Sequence, residues 1–221
     1  MHPTIPFPLA HRLHSLTFQT AYTISKTMEE VSFLNAQDFT LASPLNSRLE
    51  RRLLEWDAPQ KLAVLFTYEI PFARRKAFLG GWQLNGDLTF QSGFPVPFPN
   101  AAPLAPRSAS LPGDQRTRER WFDTSIFPKT GQAPFTLRNF PTRFPDVRFS
   151  ALKNLDLTLF KDFQLAEKTK LNFRAECYNI TNTPWFPRLD TTSVTAANFG
   201  NLNLAQTNTV RRFILALRLL W

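Results

Sequence analysis

The sequence predicts an all-β chain: an antiparallel transmembrane β-barrel segment of about six strands, open on its own, with long extracellular loops. Three observations lead there. Apolar residues recur at every second position over stretches long enough to cross a bilayer as strands, the links between those stretches alternate short and long, and no stretch could cross as a helix. The chain of 221 residues holds 22 Phe, 5 Trp and 3 Tyr, ample apolar surface for one large β domain, while 18 Pro against 7 Gly would break helices repeatedly. Mean hydropathy is −0.24, and the apolar runs fall far short of the roughly 18 residues a spanning helix needs.

Residues 1–13 read as an unstructured leader, and 14–221 as the barrel segment. The first strand runs from Leu16 to Ile24, where Leu16, Phe18, Thr20, Tyr22 and Ile24 alternate with Thr17, Gln19, Ala21 and Thr23. In the second, Leu62, Val64, Phe66, Tyr68 and Ile70 oppose Lys61, Ala63, Leu65, Thr67 and Glu69. The third is the clearest, with Trp82, Leu84, Gly86, Leu88 and Phe90 against Gln83, Asn85, Asp87, Thr89 and Gln91, a set suited to a water-filled lumen. The fourth sets Leu155, Leu157, Leu159 and Phe163 against Asn154, Asp156, Thr158 and Asp162. The fifth sets Leu171, Phe173, Ala175 and Cys177 against Lys170, Asn172, Arg174 and Glu176. Lys161 falls in an apolar register, which suggests a bulge or a head-group position near the strand end.

The last strand carries Phe213, Leu215, Leu217, Leu219 and Trp221 on one face and Arg212, Ile214, Ala216, Arg218 and Leu220 on the other. That pattern suits an outer-membrane closing strand whose outward residues meet lipid and whose aromatic sits at the interface. The alternative is the edge strand of a soluble extracellular β-sandwich that binds carbohydrate or peptide. Link lengths weigh against it. Short turns on one side and long loops on the other are the rule in outer-membrane barrels, and placing the carboxyl end in the periplasm puts every long link outside. About six strands cannot close a barrel, since about eight is the smallest closed form, so the chain reads as a fragment or as one piece of an assembly.

Few chemistries survive a search of the residues. His2, His11 and His14 all precede the first strand, so neither a Ser-His-Asp nor a Cys-His arrangement can be assembled, and Gly80-Gly81 is a turn signal rather than a phosphate loop. Cys177 stands alone, which excludes an internal disulfide and a cysteine-cluster metal site. The expectation is no catalytic residue, no cofactor and no metal. Net charge is +9 but scattered, and its densest run, Arg48 to Arg52, contains Glu50, so no nucleic-acid partner is expected. Arg174 and Glu176 share the lumen face, where pairing with neighbouring strands is the plain role and contact with a plug or solute the functional one. The amino terminus has no signal-peptide pattern, so an export signal would lie outside this sequence.

In the long link after the third strand, Arg116, Arg118, Arg120, Trp121 and Phe122 form a possible ligand loop, because guanidinium and aromatic groups together can stack on and bond an anionic or glycan-like molecule. The plainer alternative is a loop that packs its aromatics on itself and on the barrel rim.

The stretch Gly81-Trp82-Gln83-Leu84-Asn85-Gly86-Asp87-Leu88-Thr89-Phe90-Gln91-Ser92-Gly93-Phe94-Pro95 resembles the Gly-Trp strand ending in Ser-Gly-x-Pro of the Oar-like TonB-dependent outer-membrane receptors of Acidobacteria. Further stretches resemble the family in the same order. They are Tyr22 to Lys26, Asp57-Ala58-Pro59-Gln60, Trp121-Phe122-Asp123-Thr124-Ser125-Ile126-Phe127, Asn154 to Lys161, Phe173 to Asn182, and Phe199-Gly200. The likeness runs from about Ser15 to Trp221 and corresponds to the carboxyl end of such a receptor. Departures are Ile24 in place of a common Trp, Cys177 in place of an aromatic, and Val210-Arg211-Arg212 before the last strand.

The resemblance implies a plugged barrel of about 22 strands energised through TonB. It also implies lipid and the barrel-assembly machinery as partners, the latter reading the last strand through Phe213, Leu215, Leu217, Leu219 and Trp221. The plug and the remaining barrel strands would be supplied by sequence beyond this chain. The chain alone is expected not to transport.

Overall fold

The computed structural model describes residues 5–13, 15–30, 51–72, 78–98, 107–130 and 142–221. Its strands are β1 (Ile5–Leu13), β2 (Leu16–Ile24), β3 (Met28–Glu29), β4 (Arg52–Leu53), β5 (Gln60–Glu69), β6 (Gln83–Gln91), β7 (Leu152–Ala166), β8 (Thr169–Tyr178) and β9 (Arg212–Leu220). β3 and β4 form a two-stranded ribbon, and the others form a seven-stranded sheet in the order β1-β2-β5-β6-β7-β8-β9. Every pair in that sheet is antiparallel, and β1 and β9 are its edges. Among the described residues there is no second large sheet to stack on the first, so the sandwich alternative is not the architecture formed.

The alternation read from the sequence becomes two continuous faces because the ladders are in register. Phe18 lies opposite Phe66, which lies opposite Gly86; that glycine faces Leu157, which faces Cys177, and Cys177 faces Phe213. One row along, Thr20, Val64, Leu88 and Leu155 align in the same way. The opposite face is built from the intervening residues, with Gln19, Leu65, Asp87 and Asp156 in one row and Thr17, Thr67, Asn85, Thr158 and Glu176 in the next. β6 has 9 residues and β8 has 10. Strands of that size give about 30 Å of chain. A tilt of about 40° brings this close to the roughly 25 Å apolar band of outer-membrane barrels.

The expectation of an unstructured leader over 1–13 is corrected. Ile5–Leu13 pairs with β2 from Ile5 opposite Ile24 to Leu13 opposite Leu16. The physical reason is that β2 would otherwise present an unpaired row of N–H and C=O groups, which a flanking strand satisfies. Pro6 and Pro8 sit two positions apart, so both missing donors fall on one side of the strand, a pattern that an edge strand tolerates. Of the two expectations for Lys161, a bulge or a place near the strand end, the bulge is not formed at that residue, which pairs in register with Phe173 near the turn end of β7. The register shift lies instead between Gln164 and Ala166, beside the turn.

All short links, at 14–15, 70–82 and 167–168, lie at one end of the sheet, and the links 25–59, 92–151 and 179–211 lie at the other. The β6–β7 ladder continues past the sheet into this second end, through the Pro95–Arg148 bridge, Phe149 N–H to the Phe94 carbonyl (2.9 Å) and Val96 N–H to the Val147 carbonyl (2.9 Å). The buried hydrophobic cluster is found here, in a cap made by the long links. Phe98 packs on Phe122 with ring centroids 5.0 Å apart, Phe122 on Phe199 at 5.3 Å and Phe127 on Phe199 at 5.4 Å, with Val96, Ile126 and Val147 filling between them. A sheet in lipid needs no apolar core of its own, whereas loops that stand in water do.

Two glycines permit close approaches. The ring of Phe66 lies across Gly86, covering a position with no side chain. At Gly93, where β6 passes into the cap, a Cβ would overlap the Phe149 carbonyl, which belongs to backbone already bonded in the ladder. Gly93→Ala is therefore expected to destabilise the chain by about 1–3 kcal/mol. Gly113→Ala, with open space around it, should shift the midpoint little. Urea unfolding of both variants in detergent micelles, followed by far-ultraviolet circular dichroism, checks the contrast.

Candidate functional site

Three surfaces carry what this fold can do: the apolar face of the sheet, its polar face, and the cap at the long-link end. On the apolar face the exposed side chains concentrate in β9, where Phe213 is 71% exposed, Leu215 75% and Leu217 69%. Such a row is stable only against another apolar medium. Trp221, beyond the turn-side end of β9, is 89% exposed, and Trp82 lies at the same end of the sheet. Aromatics at this level suit the boundary between hydrocarbon and head groups. Of the residues read as the assembly-recognised strand, Phe213, Leu215, Leu217 and Leu219 share the outward side of β9, and Trp221 follows directly after its end.

Lys161 interrupts the apolar face near the turn end. It is nearly completely buried, and its ammonium donates to the carbonyls of Phe78 and Gly80, both at 2.6 Å. The same Nζ lies 4.6 Å from the centre of the Phe163 ring and 5.2 Å from that of Trp82. Carbonyls and ring faces together replace its hydration, and the side chain ties β7 to the neighbouring short link. Cys177, also on this face, is a buried free thiol between Leu157 and Phe213 and acts as a small hydrophobe.

The polar face holds a shallow cavity of about 450 Å³ lined by Gln19, Asn85, Asp87, Asp156, Arg174 and Glu176 among others. Arg174 Nε pairs with Glu176 at 2.8 Å along the same strand, and the Tyr178 hydroxyl donates to Glu176 at 2.9 Å. The charges are thus compensated within β8 rather than across to a neighbouring strand. Asp87 and Asp156 stand directly opposite each other, an arrangement that costs stability unless water or counter-charge separates them. Asp156 is partly engaged, accepting the Asn179 amide at 2.7 Å. Leu65, Phe160, Ile214 and Leu220 are apolar residues on this face.

In the cap, buried ion pairs join link to link. Asp57, whose side chain is 0% exposed, receives Arg148 Nη2 at 2.7 Å and the Thr27 amide at 2.6 Å. Arg148 also donates through Nη1 to the carbonyls of Asp57 and Gly93. A second pair of guanidiniums, Arg52 at 2.8 Å and Arg143 at 2.6 Å, converges on Glu29. Asp123 accepts from the Ser125 hydroxyl (2.6 Å) and amide (3.0 Å) and from Arg107 (2.6 Å). Burial opposes the charge on Asp123, but the Ser125 and Arg107 hydrogen bonds more than offset this and hold its carboxyl below the usual carboxylate value.

The possible ligand loop is mostly spent on this structure. Phe122 is fully buried in the cap core, which removes it as a ligand contact; an aromatic ring among other aromatics gains more from dry packing than from the surface. Trp121 packs against that core and donates its indole N–H to the Arg148 carbonyl at 3.0 Å. Arg116 donates to the Leu111 carbonyl and the Ser110 hydroxyl, and Arg118 lies over the Phe186 ring at 5.6 Å. Arg120 is exposed and reaches Asp123 only at 3.8 Å. Against the plainer alternative, a loop packing its aromatics on itself and on the barrel rim, Phe122 meets Phe98 and Phe127 of its own link and also Phe199 of another. Asp57 is legible in the sequence only as part of a family-like stretch and Arg148 only as one more arginine of the long link, and Glu29 not at all; their pairing as struts is set by the tertiary contacts. Of the histidines, His2 and His14 lie outside the described residues, as do Arg48 to Glu50 of the basic run. Among the described residues no group of His, Cys, Asp and Glu is placed to hold a metal ion.

Leu217→Arg, near the middle of β9, is expected to cost about 2–4 kcal/mol. Ala216→Arg on the polar face should cost far less, and unfolding in lipid vesicles compares the two. Arg148→Ala strands the buried Asp57 carboxylate and should loosen the cap by about 3–5 kcal/mol. The double variant Asp57→Asn with Arg148→Ala should recover part of that loss, read as amide exchange at Thr27 and Val96.

Comparison with known families finds that a model described as an outer membrane beta barrel domain matches residues 7–214. No curated protein and no solved structure matches the chain.

Proposed function

Because the chain belongs to the outer membrane beta barrel domain family and forms barrel wall in the outer membrane, we propose that it is part of a TonB-dependent, Oar-like receptor for substrate uptake. The observation that carries this reading is the pairing of a polar face that holds a cavity with a structured cap. Beside the lipid-facing row runs a water-compatible wall with its own cavity, and above it the described parts of the long links pack and pair into one folded unit. A barrel that served only as an anchor would need neither. The ordered family-like stretches support the finer assignment, and several are joints of the cap: Asp57, Gly93 and Asn179 each hold a link to a strand end or to another link, and Asp123 braces its own link through Arg107 and Ser125.

In this reading the sheet is completed by further strands, since the outer edges of β1 and β9 would otherwise leave backbone groups unpaired in hydrocarbon. Parity bears on what those strands are. With seven strands, β1 and β9 run in the same direction, so a second identical copy placed in a ring would meet the first through a parallel pair. An odd number of additional strands restores antiparallel closure throughout. A plug seated against the polar face, TonB acting through that plug, and the barrel-assembly machinery acting on β9 are the partners. The chain contributes wall and capture surface, has no catalytic role, and does not transport alone.

The genomic DNA several hundred codons upstream of Met1 tests this. An in-frame plug, TonB box and signal peptide are expected there. Their absence, together with failure of the expressed chain to sediment with outer membranes after a urea wash, would sink the receptor reading.

A further inference from the structure

At the long-link end, outside the buried cluster, a cavity of about 610 Å³ is enclosed by parts of all three long links. That volume lies within the roughly 300–1,000 Å³ of small-ligand sites. One side is the turn Glu55-Trp56, another is Phe94 to Pro97 with Phe149, and the third runs from Trp185 to Thr192 with Thr207. We propose that this cavity binds a neutral oligosaccharide. The proposal deepens the receptor reading by naming the class of molecule its outward surface takes, and it rests on that reading only for its biological purpose.

The walls are built before any ligand arrives. Trp185 donates its indole N–H to the Ser150 carbonyl at 2.9 Å and its backbone amide to Asn208 Oδ1 at 2.8 Å, and packs edge-on against Phe94 with centroids 5.6 Å apart. The turn that presents Trp56 is followed at once by Asp57, whose clamp on Arg148 and bond from its amide to the Leu54 carbonyl fix the turn's position. Trp56 itself is 53% exposed. A flat indole held at the mouth of a cavity, on the water side of a membrane protein, offers a platform for the C–H face of a sugar ring.

The rim chooses among ligand classes. Among the described residues, the side chains of Arg188 and Asp190 line the cavity without a hydrogen-bond or ionic partner, and Glu55 has only a 3.8 Å approach to Arg143. Planar carboxylate and guanidinium groups can each serve two adjacent hydroxyls, with Thr192 adding a donor and acceptor. Two acids against one base disfavour a phosphate or carboxylate ligand, and three charged groups disfavour a wholly apolar one. An extended peptide would add to a free strand edge, but the wall backbone at Pro95 and Leu189 is already bridged to Arg148 and Leu202.

The test uses the full chain folded in detergent micelles, titrated with maltohexaose, cellohexaose and xylohexaose, with a galacturonate hexamer and a proline-rich decapeptide as rival probes. Tryptophan fluorescence and calorimetry read binding, and near-ultraviolet circular dichroism reports that the cap is folded. The expected result is saturable binding of at least one neutral hexasaccharide, weakened about tenfold or more by Trp56→Ala and by Asp190→Asn. Trp56→Phe should keep most of the affinity, and Gly113→Ala, in open space away from the cavity, all of it. Absence of binding by a folded chain, equal binding by both disruptive variants, or preference for the acidic oligomer or the peptide would overturn the proposal. A chain that sediments with membranes yet fails this titration loses the site alone, while one that binds but lacks an upstream plug loses the receptor reading alone.

Discussion

The register of the antiparallel ladder is the constraint on which everything else rests. With a side-chain period of two, a slip of one residue between any two strands would turn Leu88 or Leu157 inward and Asp87 or Asp156 toward lipid. A carboxylate in hydrocarbon costs several kcal/mol, so one register is strongly preferred at each pair. The same condition accounts for β1. In a medium without water the outer row of β2 must be paired, and Pro6 and Pro8 are compatible with an edge position.

Where the chain leaves the membrane the balance of forces reverses. Loops in water must bury apolar surface to hold a shape, and the rings of Phe98, Phe122, Phe127 and Phe199 do so. Ionic struts then decide how the cap sits on the strands. Arg148 joins the β6 exit, the turn before β5 and its own link in one set of hydrogen bonds, and the cost of burying Asp57 is offset because both carboxylate oxygens are engaged. Asn179, at φ 47°, plays a comparable part at the end of β8: its amide reaches Asp156 while its side chain meets the carbonyls of Thr183 and Thr209. Left-handed backbone is a conformation that Asn tolerates better than most residues.

Legibility differed by region for a physical reason. Six of the seven strands were readable because each is amphipathic with a fixed period, and the contrast between faces survives without knowing the neighbours. Lys161 was readable as an anomaly but not as a strut, since the carbonyls of Phe78 and Gly80 that receive it lie far away in sequence. The loop residues were least readable. Arg116, Arg118, Arg120, Trp121 and Phe122 are adjacent, but adjacency in an irregular segment says nothing about exposure. Phe122 turned into the core while Arg120 turned out, and the uncovered indole belongs to Trp56 on another link.

By itself the sequence determined the all-β class, the two faces of each strand, the alternation of short and long links, and the absence of a helix able to span a bilayer. These follow from local periodicity and composition, which need no partner to be expressed. Tertiary structure alone decided that residues 5–13 join the sheet, that the long links fold into a single cap, which arginines become struts, and where a cavity opens among the links. Those outcomes depend on contacts between segments distant in sequence, and no pattern within a single segment specifies which distant residue it will meet.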